Sequence, residues 1–167
     1  MKILRLVATL SAVLMLGSLT LQPASADSVP AGIAKMPFIM EQPSPLSVDA
    51  TVAVIKANVE KMGPWTVNGV KPLHQSIKKH GGPDVRPVYL LEICNPMHAG
   101  AMLQDDKDMW ASVMMPCTVS VYEKSDGKAY IGFMNARMVG MMFGGKIAEV
   151  MSGPVAEAQD KFLNVGK

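Results

Sequence analysis

Cys94 and Cys117 are the only two thiols in the 167 residues. Cys94 lies in Glu92-Ile93-Cys94-Asn95-Pro96-Met97-His98, and Cys117 closes Met114-Met115-Pro116-Cys117. Two thiols in one chain offer three kinds of chemistry. They bond as a disulfide, they ligate a soft metal or cofactor, or they exchange sulfur and electrons. Met97, His98, Met114 and Met115 extend the second option, because thiolate and thioether donors favour Cu(I) and imidazole also binds copper. Haem held through His98 or a methionine is a further form of that option.

The spacing matches no stock motif. There is no Cys-x-x-Cys, no Cys-x-x-Cys-His haem attachment, and no run of methionines at fixed intervals. As a staple, the pair would close a loop of 22 intervening residues and contribute about 3 kcal/mol through the unfolded chain. As a sulfur-transfer group, Cys94 would draw on the helix that Asn95 and Pro96 open behind it. Exposed amides and the helix dipole lower a thiol pKa there, whereas apolar burial raises it. The three readings stay open at this point.

The elements that carry these residues follow from periodicity. Ser47 or Asp49 caps a helix that runs to about Met62 and is stopped by Gly63-Pro64. Trp65 to Val70 alternates as a half-buried strand, and Leu73 to His80 reads as a short helix closed by Gly81-Gly82-Pro83. Val85 to Cys94 is a strand broken by Asn95-Pro96, which shape the turn, and Pro96 opens a helix to about Leu103. The acidic stretch Gln104 to Asp108 reads as a solvated turn. It has neither the glycine nor the bidentate Glu of a calcium loop. Thr118 to Glu123 and Ala129 to Met134 form a hairpin about Ser125-Asp126-Gly127-Lys128. Ala136 to Phe143 and Lys146 to Phe162 are helical, the second interrupted at Gly153-Pro154. Cys94 then ends one strand and Cys117 starts the next, so antiparallel pairing would bring both to the same end of the sheet, within disulfide reach. The interleaved order with a hairpin predicts an α+β single domain on an antiparallel sheet.

Composition bounds the rest. Lys2 and Arg5, the apolar run Leu6 to Leu21 and Ala24-Ser25-Ala26 read as a cleaved signal peptide over residues 1–26. Residues 27–46, with Pro30, Pro37, Pro43 and Pro45, read as an extended entry segment, and 47–167 as the domain. No later apolar run is long enough to span a bilayer, so the expectation is a periplasmic protein with no stable membrane insertion. Of 16 Lys and Arg, Lys2 and Arg5 lie in the leader, which leaves the mature chain balanced against 14 Asp and Glu. With 5% aromatic residues and no basic cluster beyond Lys78-Lys79-His80, nucleic-acid binding is not expected. All but Met1 and Met15 of the 15 methionines lie after the leader. Met134, Met138, Met141 and Met142 would share one helical face, a core stripe or a docking surface for another subunit or a periplasmic partner through Met134–Phe143. His74 and His80 read as solvated. No hydrolytic triad, phosphate loop or dinucleotide fingerprint is present, so an ordinary hydrolase or dehydrogenase is not expected.

Several stretches resemble one family, called domain of unknown function 302. They are Leu91-Glu92-Ile93-Cys94-Asn95-Pro96, Met115-Pro116-Cys117 before a strand, and Val121-Tyr122-Glu123 before a glycine hairpin. The tail from Met141-Met142-Phe143-Gly144-Gly145-Lys146 to Met151 is similar to its exported proteobacterial branch. The likeness runs from about Ser47 to Val150. It implies an antiparallel sheet backed by helices on one face, similar to the TATA-binding-protein-like arrangement. It also implies that both cysteine positions are typical of the family. It implies no activity. The resulting expectation is a periplasmic binding or accessory protein with a soft-ligand site, for copper or another thiophilic metal. The metal ligands would come from Cys94, Cys117, Met97, His98, Met114 and Met115. The alternatives are a thiol-disulfide or sulfur-transfer protein and a disulfide-stapled interaction domain.

Overall fold

The computed structural model describes residues 36–166. The leader expected over residues 1–26 and the first part of the expected entry segment lie outside the described residues. Five strands form one antiparallel sheet: β1 (Ile39–Pro43), β2 (Thr66–Pro72), β3 (Val88–Cys94), β4 (Cys117–Glu123) and β5 (Ala129–Met134). Their spatial order is β1-β5-β4-β3-β2. The helices are α1 (Val48–Glu60), α2 (Leu73–Lys79), α3 (Pro96–Met102), α4 (Ala136–Phe143), α5 (Gly145–Val150) and α6 (Ala156–Phe162). A 3-10 helix spans Asp106–Met114, and a wide π turn, Met151–Val155, joins α5 to α6.

The α+β expectation holds, and so do most element positions. Ser47 caps α1 through its side chain, which accepts from the Ala50 amide at 3.3 Å. Val48, Thr51, Ile55 and Val59 recur at helical spacing on its buried face. Gly63 ends that unit at φ 71°, a left-handed conformation that glycine adopts without a Cβ penalty. Gly127 makes the hairpin turn at φ 72°, its amide donating to the Lys124 carbonyl. The proline-rich entry segment contributes an edge strand. Ile39 pairs with Met134 and Pro43 with Tyr130, and Pro is tolerated there because one side of an edge strand needs no donor.

The acidic stretch expected to be a turn instead leads into the 3-10 helix. Ala111 from that helix is fully buried, and the tertiary contact overrides weak local propensity.

Period-two alternation sorts the sheet into two faces. Leu91, Ile93, Val119, Val121 and Ile131 are essentially inaccessible and lie under the helices. α1 packs on β3, β4 and β5, α6 packs on α1, and α3 packs against α5 and the 3-10 helix. Each of these aliphatic side chains contributes about 1.5–3 kcal/mol by leaving water. The opposite face carries Glu41, Ser120, Tyr122 and Tyr130. There the Tyr122 hydroxyl donates to Glu41, and Lys124 Nζ pairs with Glu41 Oε1 at 2.5 Å. Among the described residues no helix is long and apolar enough to cross a membrane.

Candidate functional site

The β3–β4 ladder fixes where the thiols sit. Cys117 is the register partner of Ile93, so both belong to the helix-covered face. Cys94 is the next residue, the last of β3, paired on its other side with Thr66. The expectation that both cysteines reach one end of the sheet is met. Strict alternation, however, sends neighbours such as Ile93 and Cys94 to opposite faces. Cys94 therefore joins Cys117 from the rim of the strand and not from directly across it. Both thiols are free.

Behind them α3 begins. Asn95 is buried and caps the helix, its Oδ1 accepting from the Met97 amide at 3.0 Å and the His98 amide at 3.3 Å. Pro96 at the first helical position needs no amide partner. The face turned inward is Asn95, His98, Ala99 and Met102, the i, i+3, i+4, i+7 set. Met97 is 71% exposed on the other side, roughly 140° around the helix from Met102. It is the one candidate ligand that does not reach the site, a correction to the sequence expectation.

These elements line a cavity of about 30 Å³, partly open to solvent, at the β3–β4 end. Its wall carries six sulfur-bearing side chains: Cys94, Met102, Met114, Met115, Cys117 and Met151. Trp65, Ile93 and Val155 fill the spaces between them, and the only polar side chains on the wall are Asn95 and His98. Met102 and Met151 are nearly inaccessible. Neither was singled out from the sequence. The helical spacing from His98 to Met102 is a signal that could have found the first. Met151 had no local signal, because the turn that aims it depends on packing between α4 and the Met151–Val155 segment.

Burial governs the electrostatics. It pushes the Cys94 thiol above its ordinary value. Cys117 is pushed up to about 11, by burial first and by the neighbouring Cys94 charge second. The amides that would lower a thiol pKa at the start of α3 are taken by Asn95 instead. Both thiols are thus neutral at pH 7, poor nucleophiles but well placed to lose a proton to a metal. Among the described residues no three His, Cys, Asp or Glu side chains converge as a ligand set. The donors that do converge are sulfur.

Elsewhere, His74 is half-buried and not the wholly solvated residue expected. It packs edge-on against Tyr89 at 5.2 Å, and the Val88 amide donates to its Nδ1 at 3.2 Å. The methionine stripe expected from Met134 is broken, since Met134 ends β5 and Asn135 caps α4, accepting from the Met138 amide. What α4 exposes is Met141, Met142 and Phe143. Phe143 meets Trp110 of the 3-10 helix at 4.7 Å, and Met109 and Val113 of that helix are also exposed.

The family model described as domain of unknown function DUF302 matches residues 40–165. Among solved structures the chain is similar to an uncharacterized conserved DUF302 protein from Bacillus stearothermophilus. That likeness has a TM-score of 0.67 at 19% identity, over 79% of this chain and 100% of the other. At that identity it speaks for the fold alone. No curated protein matches.

Proposed function

We propose a role for this chain, which belongs to the DUF302 family, from its own residues, because the family name assigns no activity. It is an exported binding or accessory protein that holds one soft monovalent cation, Cu(I), among the sulfurs at the end of β3 and β4. The observation that supports this is the sulfur-lined cavity. A space of about 30 Å³ is enough for a water molecule or a bare ion. Cu(I) prefers thiolate and thioether donors and accepts low coordination numbers, while harder ions need the oxygen ligands this wall lacks. Cys117 supplies the central thiolate, with Cys94 at the rim and Met102, Met114, Met115 and Met151 as available thioethers.

Competition with a Cu(I) chelator under anaerobic, reducing conditions tests the proposal. One equivalent of Cu(I) is expected to bind. Cys117→Ala should weaken it by on the order of 100-fold or more, since even outer-shell changes cost 10- to 100-fold. Unchanged affinity in Cys117→Ala would sink the proposal.

The nearness of Cys94 and Cys117 supports a second reading, a disulfide-bonded form that removes two of the donors. Intact mass of the chain purified without reductant separates the two, since the bonded form is lighter by two hydrogens. The exposed cluster of Trp110, Met141, Met142 and Phe143 is the surface we assign to a protein partner or a second copy. Sedimentation at rising concentration should reveal association that Phe143→Ser removes; a monomer throughout excludes the second copy.

A further inference from the structure

Trp65 and His98 form a shared wall. On one side they line the sulfur cavity; on the other they line an open groove of about 420 Å³ that also carries Lys61, Glu157 and Lys161. The two rings meet edge to face, with centroids 5.7 Å apart at 63°. Trp65 is pinned, because it is buried and its opposite side packs against Phe162 at 5.9 Å. His98 is half-buried. Among the described residues its ring nitrogens make no hydrogen bond, whereas the Nδ1 atoms of His74 and His80 both have backbone partners. One side of the wall is therefore fixed and the other can rotate about its side-chain bonds. The cavity has a second neighbour, the groove on the open sheet face, reached past Met114 and Pro116. That wall contains a proline ring that cannot swing aside and no nitrogen donor.

We propose that His98 is the gate through which the cation passes between the outer groove and the sulfur cavity. The proposal rests on the soft-cation reading of the site. The imidazole swings off Trp65, takes the ion on a ring nitrogen, and passes it to the Cys117 sulfur. No electron moves in this step. Cu(I) keeps its charge, the nitrogen–copper contact breaks as the sulfur–copper contact forms, and the thiol proton leaves to solvent. Imidazole is a weaker partner for Cu(I) than thiolate, so the ion is not trapped at the gate.

A gate and a ligand leave different kinetic signatures. Altering a gate changes entry and exit by the same factor and leaves affinity where it was. The test uses the full chain under anaerobic conditions, with Cu(I) supplied as its bicinchoninate complex and withdrawn by excess bicinchoninate in a stopped-flow instrument. His98→Ala removes the ring and its nitrogens together and should change uptake and release by the same severalfold factor, with affinity unchanged. His98→Phe keeps the ring and loses the nitrogens, and should slow both. Unchanged rates in the two variants, with the wild type still binding, overturn the gate alone. Faster release with lost affinity and unchanged uptake also overturns it, because His98 is then a ligand. A wild-type chain that takes up no Cu(I) overturns the soft-cation reading and the gate with it.

Discussion

At Cys117 the protein holds a thiol in apolar surroundings, and the consequence for stability has a definite sign. An ordinary thiol in the unfolded chain ionises near pH 9, and the folded one near about 11. Below pH 9 both states are protonated and this residue adds no pH dependence. Between pH 9 and 11 the unfolded chain loses its proton first, so stability falls as pH rises and the loss is complete above the folded value. The whole effect is at most about 3 kcal/mol. Urea midpoints measured at pH 8 and pH 10.5 should drop more for the wild type than for Cys117→Ala. Tyr122, pushed up to about 12 by burial and by its bond to Glu41, acts equally in both and cancels in the comparison. Equal slopes would mean the thiol is not in an apolar site. The two thiols and three of their companions, His98, Met114 and Met115, were legible as candidates from the sequence. Which of them face one another was not, because Met97 and Met102 differ only in which side of a short helix they occupy.

The element that aims Met151 is the junction of α5 and α6. Pro154 has no amide to donate and its ring crowds the preceding turn. Gly153 leaves the helical region at φ −94°, ψ −108°, and the helix widens into a π turn there. Such turns re-aim side chains, and here Met151 and Val155 are brought to the cavity wall. The junction is held by close approach to α4. A Cβ on Gly140 would stand 2.0 Å from Ser152 Oγ, 3.0 Å from the Ser152 amide nitrogen and 3.1 Å from the Ala148 carbonyl. Gly140→Ala must therefore push the two segments apart, at a cost of about 1–3 kcal/mol. Its melting temperature should fall by several degrees, and adding Ser152→Gly should restore only part, since two backbone contacts remain. No change in melting would mean that α4 sits farther from the turn. The break at Gly153-Pro154 could be read from the sequence, as could Gly144-Gly145 at the end of α4. The depth of the Gly140 contact could not, because it involves residues that no local pattern connects.

Over the whole molecule, long-range bonds tie the last described residues to β1 and α1. Gln42 Nε2 donates to the Leu163 carbonyl at 2.9 Å, and Asn58 Nδ2 donates to the Asn164 carbonyl at 3.1 Å. Gln159 is buried and spans the β5–α4 junction. Its Nε2 donates to the Met134 carbonyl at 2.8 Å, and its Oε1 accepts from the Ala136 amide at 3.3 Å. Gln159→Leu would leave both backbone groups without a partner at about 1–3 kcal/mol each. Denaturant unfolding should register that loss as a lower midpoint with an unchanged slope. A loss below about 0.5 kcal/mol would show that water replaces the side chain, at the level expected of an ordinary surface change. These ties explain why an entry segment with little periodicity becomes an edge strand: its partners are supplied by residues far along the chain.

The amino-acid sequence by itself determined the kind and approximate limits of the elements, the hairpin, the α+β class and the meeting of Cys94 and Cys117 at one end of the sheet. Those features follow from periodicity, caps and turn residues, which act over a few positions. Tertiary structure alone decided that Met102 and Met151 join the thiols while Met97 does not, that the thiols are half-buried and neutral, and that His98 stands between the cavity and the outer groove. Each depends on which face of a helix or strand is covered by a distant segment. That choice is made by packing the whole chain around one core, and no short window of residues contains it.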